Sequence, residues 1–104
     1  MVRIINLRNY KLHEGEVLIR VDRQTVVGNP FFMHNENERD LVCDRYEKYF
    51  KIAINSKAFS AYIDNIVEQS KTKDIALGCW CYPKRCHAET ILRYIQRATQ
   101  RQGD

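Results

Sequence analysis

The stretch that most constrains the fold begins with an apolar segment, continues through a cysteine-rich loop and ends in an amphipathic segment. Residues 75–78 form a short apolar run of the kind found in buried strands, and the predicted strand spans residues 74–79. Residues 79–87 hold three of the four cysteines and the only tryptophan. Apolar residues at helical spacing then predict a helix from about residue 87 to residue 101. Because open α/β sheets place ligands where a strand passes through a loop into a helix, this order predicts a site at the junction.

The remaining elements follow from hydrophobic periodicity. Residues 2–7 and 16–21 read as strands, and the continuity of the second predicts burial on both faces. Residues 25–27 form a third short strand or the close of a hairpin. Helical spacing covers residues 38–54, and Asn55 and Ser56 end that helix and cap the next one, which reaches about residue 69. The order β-β-(β)-α-α-β-α predicts one α/β domain over residues 1–104. It is a small sandwich with a mixed or largely parallel sheet of three or four strands and about three helices.

The composition and charge of the chain indicate where the protein is found and what it could bind. The net charge is +4 with a pI near 9.0, and no apolar run approaches the roughly 20 residues of a membrane span. The first residues are too polar for a signal peptide, so we expect a cytoplasmic protein with reduced cysteines and no membrane partner. Arg93, Arg97 and Arg101 recur every four residues and form a stripe on the last helix. The stripe is either a solvated face or a weak nucleic-acid surface.

The loop at residues 79–87 permits several chemistries. At the start of the last helix, free backbone N–H groups would attract an anion, with Lys84 and Arg85 adding charge. Alternatively, Cys86 beside His87 at a helix N-terminus meets the conditions that lower a thiol pKa. Cys79 gives a variant of that interpretation, because Cys79 and Arg85 have the C-x5-R spacing of a phosphate-clamping loop.

Two further interpretations concern the same cysteines. Cys79, Cys81, Cys86 and His87 have the chemistry of a zinc site, although their spacing differs from the usual C-x2-C pairs. The remaining interpretation is that they only fill the core, because cysteine is among the most buried residue types.

Two blocks of this chain carry a family resemblance. Cys79-Trp80-Cys81-Tyr82-Pro83-Lys84-Arg85-Cys86-His87-Ala88-Glu89 resembles the signature C-W-C-x-P-x-x-C-H-x-[DE] of domain-of-unknown-function family 4326, which occurs in phages and bacteria. Val21-Asp22-Arg23-Gln24-Thr25-Val26-Val27-Gly28-Asn29-Pro30-Phe31 is similar to the family's I-G-R-x-x-x-W-G-N-P-F element. Asp22 stands where a glycine is usual, and Val27 where a tryptophan is usual. The resemblance covers about residues 2–98 and names no settled activity. It implies that Arg23, the loop at residues 28–31 and the cysteine-rich stretch form one site.

We therefore expect a nucleotide-like or other phosphorylated small molecule to bind at the sheet edge. The expected ligand-binding residues are Arg23, Gly28, Asn29, Pro30, Phe31, Cys79, Trp80, Cys81, Lys84, Arg85, Cys86, His87 and Glu89. The family's occurrence suggests a phage protein that acts on host nucleotide metabolism or signalling. One alternative is a cysteine-dependent nucleotide or N-glycosidic hydrolase or transferase that uses Cys86, with His87, or Cys79. The other is an interaction module stabilised by zinc on Cys79, Cys81, Cys86 and His87; otherwise no cofactor is expected.

Overall fold

The fold consists of three strands and three helices in the order β-β-α-α-β-α, as the sequence predicts. The computed structural model describes residues 1–103, and it describes side chains through residue 100. The strands are β1 (Val2–Asn6), β2 (Val17–Arg20) and β3 (Ile75–Cys79). The helices are α1 (Arg39–Ala53), α2 (Lys57–Ser70) and α3 (Ala88–Gly103), and a short 3-10 helix at Glu36–Glu38 precedes α1.

The sheet is parallel throughout and has the order β1-β3-β2. Ile75 of the central strand pairs with Val2 on one side and with Val17 on the other. All five residues of β3 are buried, which agrees with its continuous apolar run. The prediction that the second strand is buried on both faces is wrong, because β2 is an edge strand and Leu18 is only half-buried.

One face of the sheet carries the hydrophobic core. Ile4, Ile19 and Leu77 lie side by side on three adjacent strands and belong to one buried cluster. The same cluster contains residues of all three helices, so the helices cover this face. On the other face Arg3 forms two hydrogen bonds with the buried carboxylate of Glu16, at 2.7 and 2.8 Å. This ion pair ties β1 to the residue that precedes β2.

The third strand predicted at residues 25–27 does not form. The backbone N–H of Thr25 donates to the Asp22 carbonyl, and that of Gly28 donates to the Thr25 carbonyl, which makes two successive turns. Val27 is fully buried in the core, whereas Val26 is exposed. Of this β-branched run, only Val27 belongs to the core, and it does so from within a tight loop.

The boundary between α1 and α2 follows the predicted chemistry. Ser56 is the N-cap of α2, and its hydroxyl accepts a hydrogen bond from the Phe59 N–H at 3.3 Å. Within residues 1–103, none of the helices has the length and apolar character needed to span a membrane.

Candidate functional site

A cleft of about 480 Å³ opens where β2 and β3 end. Because the two strands are parallel neighbours, the residues that follow them emerge at the same edge of the sheet. The cleft is lined by Asp22, Arg23, Gln24, Asn29, Phe31, Phe32, Met33, Arg39, Val42, Cys43, Trp80, Cys81, Arg85, Cys86 and His87. The loop after β2, the start of α1 and the loop after β3 thus form one concave surface.

The loop after β2 folds back tightly on itself at Gly28. A β-carbon at this position would lie 2.5 Å from the Arg23 α-carbon and 2.6 Å from the Asp22 carbonyl oxygen. The loop is then held by Arg23, whose guanidinium donates to the carbonyls of Asn29 (3.1 Å) and Phe31 (2.8 Å). The guanidinium carbon also lies 4.2 Å from the centre of the Phe32 ring. Gly28 is thus required by close packing, and Arg23 is fixed at the cleft wall.

A buried carboxylate anchors the aromatic wall of the cleft. Asp22 accepts hydrogen bonds from Arg20 at both carboxylate oxygens and from the indole N–H of Trp80 at 2.9 Å. These donors, Arg20 first, hold the pKa of Asp22 below its usual range. Trp80 remains 52% exposed, so its ring is fixed at one edge while much of its surface faces solvent.

His87 lies beneath the cleft with a defined tautomer. Its Nε2 is 2.6 Å from the Val21 carbonyl oxygen, and since a carbonyl only accepts, Nε2 carries the proton. Burial lowers the pKa of His87. The ring packs edge-on against Tyr46, with 5.0 Å between the ring centres. The imidazole is therefore neutral at neutral pH and keeps its lone pair on Nδ1.

Two nearly buried side chains at the cleft each leave one polar atom without a hydrogen-bond partner among the described residues. One is Nδ1 of His87. The other is Nδ2 of Asn29, whose Oδ1 accepts from the Phe31 N–H at 2.9 Å. Each residue is only 8% exposed and lines the cleft. No fully buried side-chain nitrogen or oxygen within residues 1–100 lacks a partner, so both atoms reach solvent at the cleft. These two buried side chains thus offer one hydrogen-bond acceptor and one donor to a ligand.

The sulfur atoms of Cys79 and Cys86 lie 3.3 Å apart, and both residues are buried. The backbone N–H of Ala88 at the helix terminus does act to lower the pKa of Cys86, as predicted, but two larger effects oppose it. Contact with Cys79 and burial raise the pKa of Cys86. The pKa of Cys79 is lowered, first by its contact with the Cys86 sulfur and then by the nearby backbone N–H groups of Tyr82 and Cys81. Catalysis by either thiol remains a prediction.

The charges expected to attract an anion at the start of α3 are paired elsewhere. Lys84 forms an ion pair with Glu36, and Arg85 forms ion pairs with Asp40 and Asp44. The Cys86 N–H donates to the Glu89 carboxylate at 3.3 Å, so this helix terminus is capped from within. Both cations therefore strengthen the packing of the loop against the start of α1.

Two other predictions concern a metal site and the arginine stripe on α3. Within the described residues, no group of three histidine, cysteine or acidic side chains is arranged to hold a metal ion. The zinc hypothesis stays a prediction. On the arginine stripe, Arg93 pairs with Glu47 at 2.6 Å, and the Arg101 side chain lies outside the described residues.

The structure brings eight of the predicted site residues to the cleft wall. These are Arg23, Asn29, Phe31, Trp80, Cys81, Arg85, Cys86 and His87. Gly28, Pro30, Cys79, Lys84 and Glu89 shape or support the wall without lining it. Sequence reasoning missed Asp22, Gln24, Phe32, Met33, Arg39, Val42 and Cys43. A signal was present for Phe32, which continues the Asn-Pro-Phe loop, but there was none for the residues of α1.

Comparison with known proteins gives one match. The family model described as Domain of unknown function (DUF4326) matches residues 5–97 of the chain. No curated protein and no solved structure matches it. The matched region contains every residue that lines the cleft.

Proposed function

The chain belongs to the DUF4326 family, and we propose that its cleft binds a nucleotide-like small molecule, an anion that carries a planar base. One observation carries the proposal. Two exposed aromatic rings, a cation without a carboxylate partner among the described residues, and an unpartnered donor and acceptor line the same concavity. Each of these features suits a different part of a nucleotide.

Arg23 supplies the positive charge that would bind the phosphate. Arg39 forms an ion pair with Glu36, and Arg85 is paired with acidic residues of α1. Arg23 contacts only two backbone carbonyls and an aromatic ring among the residues described. Its guanidinium keeps a full positive charge and one nitrogen, Nη1, that is free of these contacts. A phosphate that reached this nitrogen would form a charge-assisted hydrogen bond.

Trp80 and Phe32 supply the aromatic surfaces on which a base would stack. Their exposed fractions are 52% and 70%, which is unusual for side chains of this size in a cleft wall. Stacking of a base on an aromatic side chain contributes about 1–3 kcal/mol and tolerates different bases. Such rings suit a planar heterocycle, and a cleft of about 480 Å³ is within the range of small-molecule sites.

Asn29 and His87 supply the hydrogen-bonding groups for the edge of the base. The Nδ2 group of Asn29 can donate a hydrogen bond, and Nδ1 of His87 can accept one. The edge of a nucleobase presents acceptors and donors in turn, so this pair complements it. Because both side chains are almost completely buried, a ligand that leaves them unpaired would be disfavoured.

The family resemblance extends the proposal to a biological setting. A cytoplasmic phage protein that acts on host nucleotide metabolism or signalling would require a site of this kind. We place the chain in that setting as part of the proposal.

Thermal shift followed by calorimetric titration tests the proposal. The probes are AMP, GMP, CMP, UMP, ADP and ADP-ribose, with inorganic phosphate alone for comparison. A ligand at 100 times its Kd should stabilise the folded state by about 2.7 kcal/mol. The variant Arg23→Gln should lower the affinity about 10-fold or more, since a hydrogen bond to a charged group contributes roughly 1.5–3 kcal/mol.

Arg45→Gln is the matched control. It removes the same charge from an exposed residue of α1 that does not line the cleft, so binding should be unchanged. Phe32→Leu should also weaken binding of the nucleotides but leave that of phosphate unchanged. If no probe binds, or if Arg23→Gln and Arg45→Gln bind equally well, the proposal is wrong.

A further inference from the structure

The contact between Cys79 and Cys86 has no role in the proposed ligand binding. The two sulfurs are 3.3 Å apart, although the loop of residues 80–85 separates the two cysteines in sequence. All four cysteines are free thiols, and among the described residues this is the sulfur pair in hydrogen-bonding contact. Disulfide formation needs close approach and one accessible sulfur, and the surroundings of the pair provide both.

Access differs between the two sulfurs. Cys86 is 4% exposed and lines the cleft, while Cys79 is 1% exposed and does not line it. A small oxidant that enters the cleft would therefore reach Cys86 first, with the Cys79 sulfur in contact with it. The backbone N–H groups of Cys81 and Tyr82 lower the pKa of Cys79, and that of Ala88 acts in the same direction on Cys86. These donors stabilise a negative charge on the pair, which is the form that reacts with peroxides.

We propose that Cys79 and Cys86 form a reversible redox pair, which a hydroperoxide that enters the cleft converts to a disulfide. This proposal does not require that the cleft bind a nucleotide, although the oxidant enters through the same cleft. The structure also predicts which pair reacts. Cys43 and Cys81 line the cleft as well, but within residues 1–100 neither sulfur has a thiol in hydrogen-bonding contact.

The chemistry balances with hydrogen peroxide as the oxidant. The pair reacts as one thiolate and one thiol. The thiolate attacks a peroxide oxygen, the O–O bond breaks, and a sulfenic acid forms as hydroxide leaves and takes a proton from solvent. The second sulfur attacks the sulfenic sulfur, the S–O bond breaks, and the hydroxyl group leaves as water with the thiol proton. The two sulfurs lose two electrons and the peroxide gains two.

Intact mass spectrometry of the full chain tests the proposal. The folded protein is treated with a small excess of hydrogen peroxide, quenched with catalase, denatured and alkylated. Relative to the untreated sample, we expect a mass about 2 Da lower before alkylation and two fewer alkylated thiols after it, both reversed by dithiothreitol. Trypsin cleaves after Lys84 and Arg85, between the two cysteines. The peptide with Cys79 therefore stays joined to the peptide with Cys86 only through a disulfide.

Matched variants assign the bond, because Cys81 shares a tryptic peptide with Cys79. Cys81→Ser and Cys43→Ser should form the same linked peptides at the same rate, and Cys79→Ser should not form them. The wild-type result stands even where a variant fails to fold. Four thiols that remain alkylatable, a first disulfide through Cys43 or Cys81, or a sulfinic acid formed without a disulfide would each overturn the proposal.

Discussion

Gly28→Ala is the substitution whose effect follows most directly from the structure. The added methyl group would lie 2.5 Å from the Arg23 α-carbon and 2.6 Å from the Asp22 carbonyl oxygen. Ordinary contact begins at 3.4 Å, so the two backbone segments must separate by about 0.9 Å. Both neighbours are backbone atoms, and no rotation of a side chain can relieve the clash. Overpacking of this kind typically costs about 1–3 kcal/mol, and we expect a loss of about 3 kcal/mol in the free energy of unfolding.

Urea denaturation measures this loss, and thermal melting should show a decrease of about 10 °C or more in Tm. Gly15→Ala is an instructive control. Gly15 has φ of 76°, and a β-carbon added there would have nothing within 4 Å, so alanine suffers only backbone strain of about 1–2 kcal/mol. Gly15→Asn should be milder still, since asparagine tolerates this conformation. A neutral surface substitution changes the free energy of unfolding by about 0.5 kcal/mol or less. If the free energy of unfolding of Gly28→Ala differs from that of the wild type by no more than this, the tight loop is not as described.

Three further changes test separate contacts. Tyr46→Phe removes the buried hydroxyl that donates to the Val27 carbonyl at 2.6 Å, and urea titration should show a loss of about 1–3 kcal/mol; Tyr10→Phe, at an exposed ring, should lose little. Ser56→Ala removes the N-cap of α2 and should cost about 1 kcal/mol in the same assay. The lowered pKa of His87 means that, as the pH falls, the unfolded chain binds this proton before the folded one does. Stability should therefore fall as the pH drops below 6.5, and His87→Gln should flatten that part of the pH profile.

The architecture could be predicted because the signals for it were local and strong. The continuous apolar run of β3 and the Asn55-Ser56 boundary both lie where the pattern placed them. The parallel pairing of β2 with β3 also explains why Arg23 and Trp80, which are distant in sequence, meet at one cleft. Short β-branched runs were less reliable. Val27 is a buried core residue in a loop. Nothing in the sequence around it distinguishes such a residue from one in a strand.

The contacts between side chains that are distant in sequence could not be predicted from the sequence. Lys84 and Arg85 were expected to face an anion, yet they contact Glu36 of the 3-10 helix and Asp40 of α1, which lie 48 and 45 positions earlier in the chain. The assignment of the raised and lowered thiol pKa values depended on a contact between Cys79 and Cys86 that spacing alone does not reveal. Such contacts are set by the packing of helices on the sheet, which periodicity does not specify.

The central position of β3 has a consequence for how the chain folds. β1 and β2 make no strand pairing with each other, and each pairs only with a strand that follows it by more than fifty residues. During synthesis, the first two strands therefore have no sheet to join until residues 75–79 leave the ribosome. Contacts this distant in sequence slow folding, because a long loop must close before any pairing is gained. We therefore expect a sheet that assembles in one late, cooperative event, and fragments that end before Ile75 to remain without it.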